Sequence, residues 1–316
     1  MNESSPLWRC EVLPLPHQQL QFRIDGRECT RWHWSADAPR PYFWPLNGPS
    51  GISLTRMGHP GAANHDHHRS LWFAHQDVLG IDCWTDHTPA MIRQTQRLVL
   101  DDGADAARAA WRLHWLDGHD PAPLLQQDVV ATIRPLDTLG AWTLELQCDF
   151  LTSAQGVAFR QSNFGILGLR VAKSLSRAFG AGIITGADGG VNEQELFGRP
   201  NRWIDYSGPI AVKDNEPVLE GIAIIDHRQN PGHREHQWAC WHVRDDGWFG
   251  PSLSRHQDVE LVADEVLRCR YLIVVHAGPC PVELLHRLAE GFDQQPAYRV
   301  IRSRQPHRQY ELTRDG

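Results

Sequence analysis

The chain has 316 residues, of which 41% are apolar and 22% charged, an ordinary globular composition with enough length to bury a core without staples. Its 31 Lys and Arg against 38 Asp and Glu leave a formal charge of −7. No long run of one sign occurs, which excludes nucleic acid as the main partner, because a phosphate backbone calls for a basic face. No apolar run approaches the roughly 20 residues of a membrane-spanning helix, so no membrane partner is expected either.

The start, Met1 to Pro6, lacks a basic region followed by an apolar stretch, so no secretory signal is expected. Along most of the chain apolar residues alternate with a period of two, the pattern of half-buried antiparallel strands. Leu20, Phe22 and Ile24 alternate with Gln21 and Arg23 and then meet Asp25-Gly26. Ala109, Trp111, Leu113 and Trp115 alternate with Arg112 and His114 before Asp117-Gly118. In 141–150, Trp142, Leu144, Leu146, Cys148 and Phe150 point one way, and Thr143, Glu145, Gln147 and Asp149 the other. Further Asp-Gly pairs at 102–103, 188–189 and 246–247 supply the positive φ angles of tight hairpins.

More apolar strands follow at 164–171, 219–225 and 266–275, the last two apolar enough for burial on both faces. One helix is predicted after Pro281, with Val282, Leu285, Leu288, Ala289 and Phe292 on one face and Gly291 closing the end. The tail 302–316 is polar and is expected to pack loosely. The sum is one all-β domain over 1–316, an antiparallel sandwich with a C-terminal helix. Seven cysteines stand singly at 10, 29, 83, 148, 240, 269 and 280, which fits reduced thiols in a cytoplasmic protein. Nothing in the pattern speaks to oligomeric state.

Chemistry concentrates between Pro41 and Asp86. His65, Asp66, His67, His68, Arg69, Trp72 and His75 fall within a dozen residues, preceded by a glycine-bearing loop at 48–51 and followed by Asp82 and Trp84. Histidine changes charge near neutral pH and is the commonest metal ligand, so proton transfer and a divalent metal both remain open. On an extended segment His65, His67 and Arg69 would share one side, and Asp66 and His68 the other. As a metal site the candidate ligands are His65, His67, His68 and His75, with Arg69 opposing a cation and His242 a further donor.

Read as a sugar site, the same stretch offers aromatic faces for C–H surfaces and charged groups for hydroxyls. Among 13 tryptophans, Trp72, Trp84, Trp203, Trp241 and Trp248 lie beside polar residues, whereas Trp111, Trp115 and Trp142 belong to the core by periodicity. A second polar-aromatic region carries Asp226, His227, Arg228 and Asn230, then a strand that sets His242 and Arg244 opposite Trp241 and Val243. His276, ending an apolar strand, reads as structural. No Gly-x-Ser-x-Gly and no activated cysteine occurs, which argues against a serine or cysteine hydrolase. Paired carboxylates cannot be recognised by spacing; Asp82, Asp226, Glu193 and Glu195 are candidates.

The runs Arg40–Leu46, Gly48–Gly51, His65–Trp84, Trp203–Gly208, Gly221–His227, Trp241–Asp245 and Arg270–His276 resemble a bacterial family of unknown function commonly labelled "methane oxygenase PmoA-like". The label names an integral membrane subunit, and this chain has no spanning run, so methane oxidation is set aside. The segment His75–Trp84 also resembles the His-Gly-Gly-x-x-Gly-Phe-Asp-…-Trp stretch of aldose 1-epimerases. That resemblance implies a galactose-mutarotase-like β-supersandwich, with His75 binding the sugar and Arg56 or Arg69 as its upstream arginine. Gln76-Asp77 replaces Gly-Gly, and Asn163-Phe164 lacks the histidine of the epimerases' acid segment, so the fold transfers better than the reaction.

The expected function is therefore general acid–base chemistry on a sugar or a keto- or anhydro-sugar. His75 and one of His67 or His68 would exchange protons, and Arg69 would hold a substrate oxygen or stabilise developing negative charge. Trp72 and Trp84 would form the apolar wall, with His242, Arg244, Asp226 and Asp82 around it. The alternatives are a metal-dependent lyase or hydrolase of modified sugars and a non-catalytic carbohydrate-binding module.

Overall fold

The computed structural model describes residues 8–59, 61–136, 140–152, 156–231 and 238–314. Two eight-stranded antiparallel sheets face one another. The first runs, in spatial order, through Cys10–Leu15, Gln19–Ile24, Arg27–His33, Tyr42–Leu46, Leu71–His75, Gly165–Arg170, Trp248–Ser252 and Cys240–Val243. The second runs through Ile183–Gly186, Trp203–Lys213, Glu216–Asp226, Leu267–Ala277, Trp142–Leu151, Leu125–Pro135, Ala107–Leu116 and Met91–Asp101. The expected all-β class and antiparallel pairing are what the chain adopts.

Alternation decides which side chains fill the space between the sheets. Leu20, Phe22, Trp111, Leu113, Trp115, Trp142, Leu144 and Leu146 are all buried in that one core. Removing this much apolar surface from water is the main stabilising term for a two-sheet protein. Asp25 and Gly26 take φ of 50° and 74°, the left-handed pair that a two-residue hairpin requires. Asp214-Asn215 makes the same turn without glycine, at φ of 51° and 68°. Asparagine tolerates that region through its short polar side chain, and the Asp-Gly signal passes over it.

The two most apolar strands are buried on both faces, as their sequences imply. Ile222, Ile224, Ile273 and Val275 enter the central core. Ala223, Ile225, Leu272 and Val274 pack outward on Leu285, Ala289 and Phe292 of the helix Val282–Gln294. That helix does not close at Gly291: it continues to Gln294, and the N–H of Gln295 bonds to the Phe292 carbonyl. Glycine only weakens a helix, and the buried Phe292 beyond it holds the last turn.

The polar tail is not loose. Tyr310–Arg314 pairs antiparallel with Tyr298–Arg302, and the hairpin lies on the outer face of the second sheet. Polar composition misleads here because that face supplies buried polar partners. Gln147 Nε2 donates to the Tyr298 carbonyl (2.9 Å), and the Tyr298 N–H donates to Gln147 Oε1 (2.8 Å). Glu145 accepts from Arg270 Nη2 (2.9 Å) and from Arg314. His276 is buried against Asp205 (2.7 Å), in keeping with its structural reading.

Candidate functional site

The first sheet has an outer face, and the histidine stretch lies over it. Along Leu71–His75 the side chains of Leu71 and Phe73 enter the central core, whereas Trp72 and Ala74 join a separate outer cluster with Trp84 and Trp248. Trp72 lies flat because Gly168 stands opposite it, and a Cβ there would come within 2.5 Å of the indole. Next along the face, Trp248 follows and then His242, whose strand neighbours Trp241 and Val243 point into the core.

The loop before this strand is curled rather than extended. Ala63–His65 forms a short 3-10 turn, and the His68 N–H bonds to the His65 carbonyl (3.1 Å). An extended segment would separate His67 from His68. The curl instead sets their rings 4.3 Å apart, with His65 at 6.0 and 5.3 Å from them. His68 stacks on Trp72 (5.2 Å, 22°) and on Trp248 (5.7 Å, 26°). His242 meets the same Trp248 edge-on at 3.9 Å, with Phe164 and Phe197 each 5.1 Å from it. Trp84 closes the group at 5.4 Å from both Trp72 and Trp248.

His75 does not join them. It shares the inward side of its strand with Leu71 and Phe73 and is fully buried. Its Nδ1 accepts from the Asp77 N–H (3.0 Å), and its Nε2 lies 2.8 Å from Ser254 Oγ. The expected proton exchange between His75 and His67 or His68 is thereby corrected, because successive strand residues face opposite ways. The candidate metal set of His65, His67, His68 and His75 is split by the same parity. Among the described residues no three His, Cys, Asp or Glu side chains converge as a metal-ligand group.

Other expected residues are placed as follows. Asp82 is occupied by the N–H groups of Trp84 (2.7 Å) and Thr85 (3.1 Å) and shapes the turn that delivers Trp84. Asp226 accepts from Asn230 (2.7 Å) in a buried turn on the second sheet and does not close the far side of this face. Arg244 is exposed and pairs with Glu193 (2.9 Å). Arg69 pairs through both terminal nitrogens with Asp86, which also receives the buried Arg40 (3.0 Å). Arg56 donates to the Asp246 carbonyl (3.0 Å), and Arg170 to the Asp246 carboxylate (2.8 Å). Trp203 lies under the C-terminal helix and Trp241 in the central core.

The sequence reading missed Arg40, Asp86, Arg170, Asp246 and Phe164, and it counted Trp248 only among tryptophans beside polar residues. Asp246 carried a signal, but as the first residue of an Asp-Gly turn. Arg40 and Asp86 border the histidine stretch but carry no pattern of their own, and Phe164, Arg170 and Trp248 come from segments distant in sequence.

Electrostatics keeps these imidazoles neutral. Burial, then Arg40, brings His67 down to about 4; burial, then Arg244 and Arg255, brings His242 down to about 3. Burial, then His67 and Arg170, pushes His68 lower still. The ordinary value is 6.5, so below it the unfolded chain binds protons that the fold refuses. Stability should therefore fall as pH drops from 7 to 5, by about 1–2 kcal/mol for His242. His276 works oppositely: burial lowers it, but the Asp205 carboxylate holds it above 6.5, so its contribution is present at pH 5 and fades as pH rises. Thermal melts at pH 7 and pH 5 of the wild type and His242→Phe isolate the effect. The variant should show the smaller drop, and equal drops would contradict this electrostatic account.

A cavity of about 910 Å³ opens elsewhere, at one end of the sheets, between Arg27, Asn47, Ser50, Pro135, Leu136 and Trp142. It contains none of the histidines. The rings of the outer face are themselves largely covered, from Trp72 at 0% to His67 at 8% exposed.

The molecule is thus a two-sheet antiparallel β protein carrying a histidine–tryptophan floor on one outer face. The chain belongs to a family of unknown function, DUF6807, which it matches over residues 19–290. The methane-oxygenase label is not part of that match. No curated protein matches the sequence. Among solved structures it is similar to a "putative mutarotase (YeaD)" from Salmonella typhimurium, at 12% identity and a TM-score of 0.31, over 84% of this chain and 90% of that one. It is also similar to a polysaccharide lyase at 12% identity and a TM-score of 0.27, over 94% of this chain and 36% of that one. At these scores the fold rests on the strand pairing itself. No helix among the described residues is long and apolar enough to cross a membrane.

Proposed function

We propose that the outer face of the first sheet binds a carbohydrate and performs general acid–base chemistry at, or next to, an anomeric or keto-activated carbon. The observation that carries the reading is the stack of His68 between Trp72 and Trp248, with His67 against His68 and His242 against Trp248. Indole faces suit the apolar C–H side of a sugar ring, and imidazoles suit its hydroxyls and exchangeable protons. A neutral imidazole takes a proton from a hydroxyl or an acidified C–H. The imidazolium so formed returns it to the substrate, so no proton is consumed overall.

His67 or His68 on one side of Trp248 and His242 on the other replace the pairing with His75. Trp84 and Trp248 form the apolar wall in place of the expected Trp72 and Trp84, because Trp72 is fully buried with His68 stacked on it. Arg69, fixed by Asp86, presents its guanidinium edge to a substrate oxygen. The cytoplasmic setting expected from the single cysteines belongs to this proposal; all seven are free thiols.

Tryptophan fluorescence during titration with a panel of monosaccharides tests it. At least one sugar should give a saturable change, and Trp84→Ala should weaken that binding tenfold or more. Silence across the panel, or an unchanged affinity in Trp84→Ala, would sink the reading.

A further inference from the structure

The arginines around the floor outnumber their carboxylate partners. Asp86 alone serves Arg40 and Arg69, at 3.0 Å from each. Asp246 alone serves Arg170, at 2.8 Å, with the Arg56 guanidinium held 3.0 Å from its main-chain oxygen. At the third corner Glu193 pairs with Arg244, while Arg255 lies over Phe197 at 4.8 Å. His59 stands 3.8 Å from Asp246, and Asp66 is exposed on the covering loop. Asp82 is turned into backbone N–H groups.

Six guanidiniums thus stand around the floor against four carboxylates, Asp86, Asp246, Glu193 and the adjoining Asp245, which accepts from the Glu193 N–H (3.1 Å). This happens in a chain whose overall charge is −7, so the local excess is not a by-product of a basic surface. Several nitrogens there are buried and unbonded: Nε and Nη1 of Arg56, Nε of Arg170, and Nη1 of Arg255. Burying cationic donors without acceptors costs free energy, which a matching anion would recover.

We propose that the ligand of this face is a sugar bearing an oxyanion, a carboxylate or a phosphate, rather than a neutral sugar. The proposal rests on the carbohydrate reading above and narrows it. Arg69 would meet the ligand edge-on: Asp86 holds both of its terminal nitrogens, and 15% of its side chain remains open to solvent. A guanidinium so held is always charged, and its remaining N–H groups favour a carboxylate or phosphate oxygen over a neutral hydroxyl. The anion would also favour the protonated form of a neighbouring imidazole. The site would then hold an acid and a base together only when the correct ligand is present.

The test is calorimetric titration of the full-length protein with matched pairs: galactose and galacturonate, glucose and glucuronate, glucose and glucose 6-phosphate. An acidic member should bind at least tenfold tighter than its neutral partner. That preference, the ratio of acidic to neutral affinity, should shrink in 0.5 M salt and disappear in Arg69→Gln. A tighter phosphate identifies a phosphosugar as the source of the anion, and a tighter uronate identifies a sugar acid. Equal binding of neutral and acidic members would overturn this inference and leave the carbohydrate reading standing. No binding by any member would overturn both.

Discussion

His67→Gln is expected to lower turnover of a bound sugar by about 10²–10⁴-fold while leaving its affinity nearly unchanged. Glutamine keeps a polar group of similar reach but cannot carry a proton. The ring it replaces is buried, 4.3 Å from His68 and 6.4 Å from Trp84, and a side chain of similar reach keeps most of those contacts. The pH profile makes the expectation sharper. Burial and Arg40 hold His67 down to about 4, so the working neutral base is already present well below pH 6. The acid limb of kcat/KM in the wild type should fall near pH 4, and the variant should lack it. A limb near the ordinary histidine value of 6.5 would show that a different, exposed imidazole does the work.

Glu145→Leu should have the largest effect on stability, about 3–5 kcal/mol, because it strips the partner from a buried cation. Glu145 is 3% exposed and accepts from Arg270, itself 2% exposed, and from Arg314 of the C-terminal hairpin. Leucine would leave Arg270 with His227 and the Gln295 carbonyl, neither of which neutralises it. It would also release Arg314, whose guanidinium lies over the Tyr298 ring. Urea melts should show the midpoint falling, and limited proteolysis should cut first between residues 303 and 314. The double replacement with Arg270→Leu should recover part of the loss, since an apolar pair of similar volume needs no counter-charge. A midpoint unchanged in the single variant would contradict this view of the network.

How much of this was legible in the sequence follows from how far each signal reaches along the chain. Strand alternation is local, so Leu20-Phe22-Ile24 and Trp142 to Phe150 announced both their strands and their inward faces. Asp25-Gly26 announced its hairpin for the same reason. The tail was misjudged because Arg314 and Tyr298 find partners on a strand more than 140 residues earlier, at Glu145 and Gln147. Composition alone cannot show that reach.

The site divides along the same line. His67, His68, Trp72 and Trp84 stood out as a dense local cluster, and the structure keeps them together. His75 belonged to that cluster in sequence, yet strand parity turns it to the opposite face. Resemblance to an epimerase segment singled it out as well, but a matching residue type does not fix which way a strand side chain points. Trp248, Arg170 and His242 reach the floor only through sheet order, where Gly165–Arg170 lies beside Leu71–His75, Trp248–Ser252 beyond it and Cys240–Val243 last. The four-arginine surroundings of Asp86 and Asp246 are equally non-local.

The central claim is that ligand binds on the outer face of the first sheet. A crystal structure of the protein soaked with the tightest-binding sugar tests this most directly. The account predicts density over Trp84 and Trp248, within hydrogen-bond distance of His67 or His242 and of Arg69. Density in the 910 Å³ cavity beside Asn47 and Trp142, with the histidine floor empty, would contradict it.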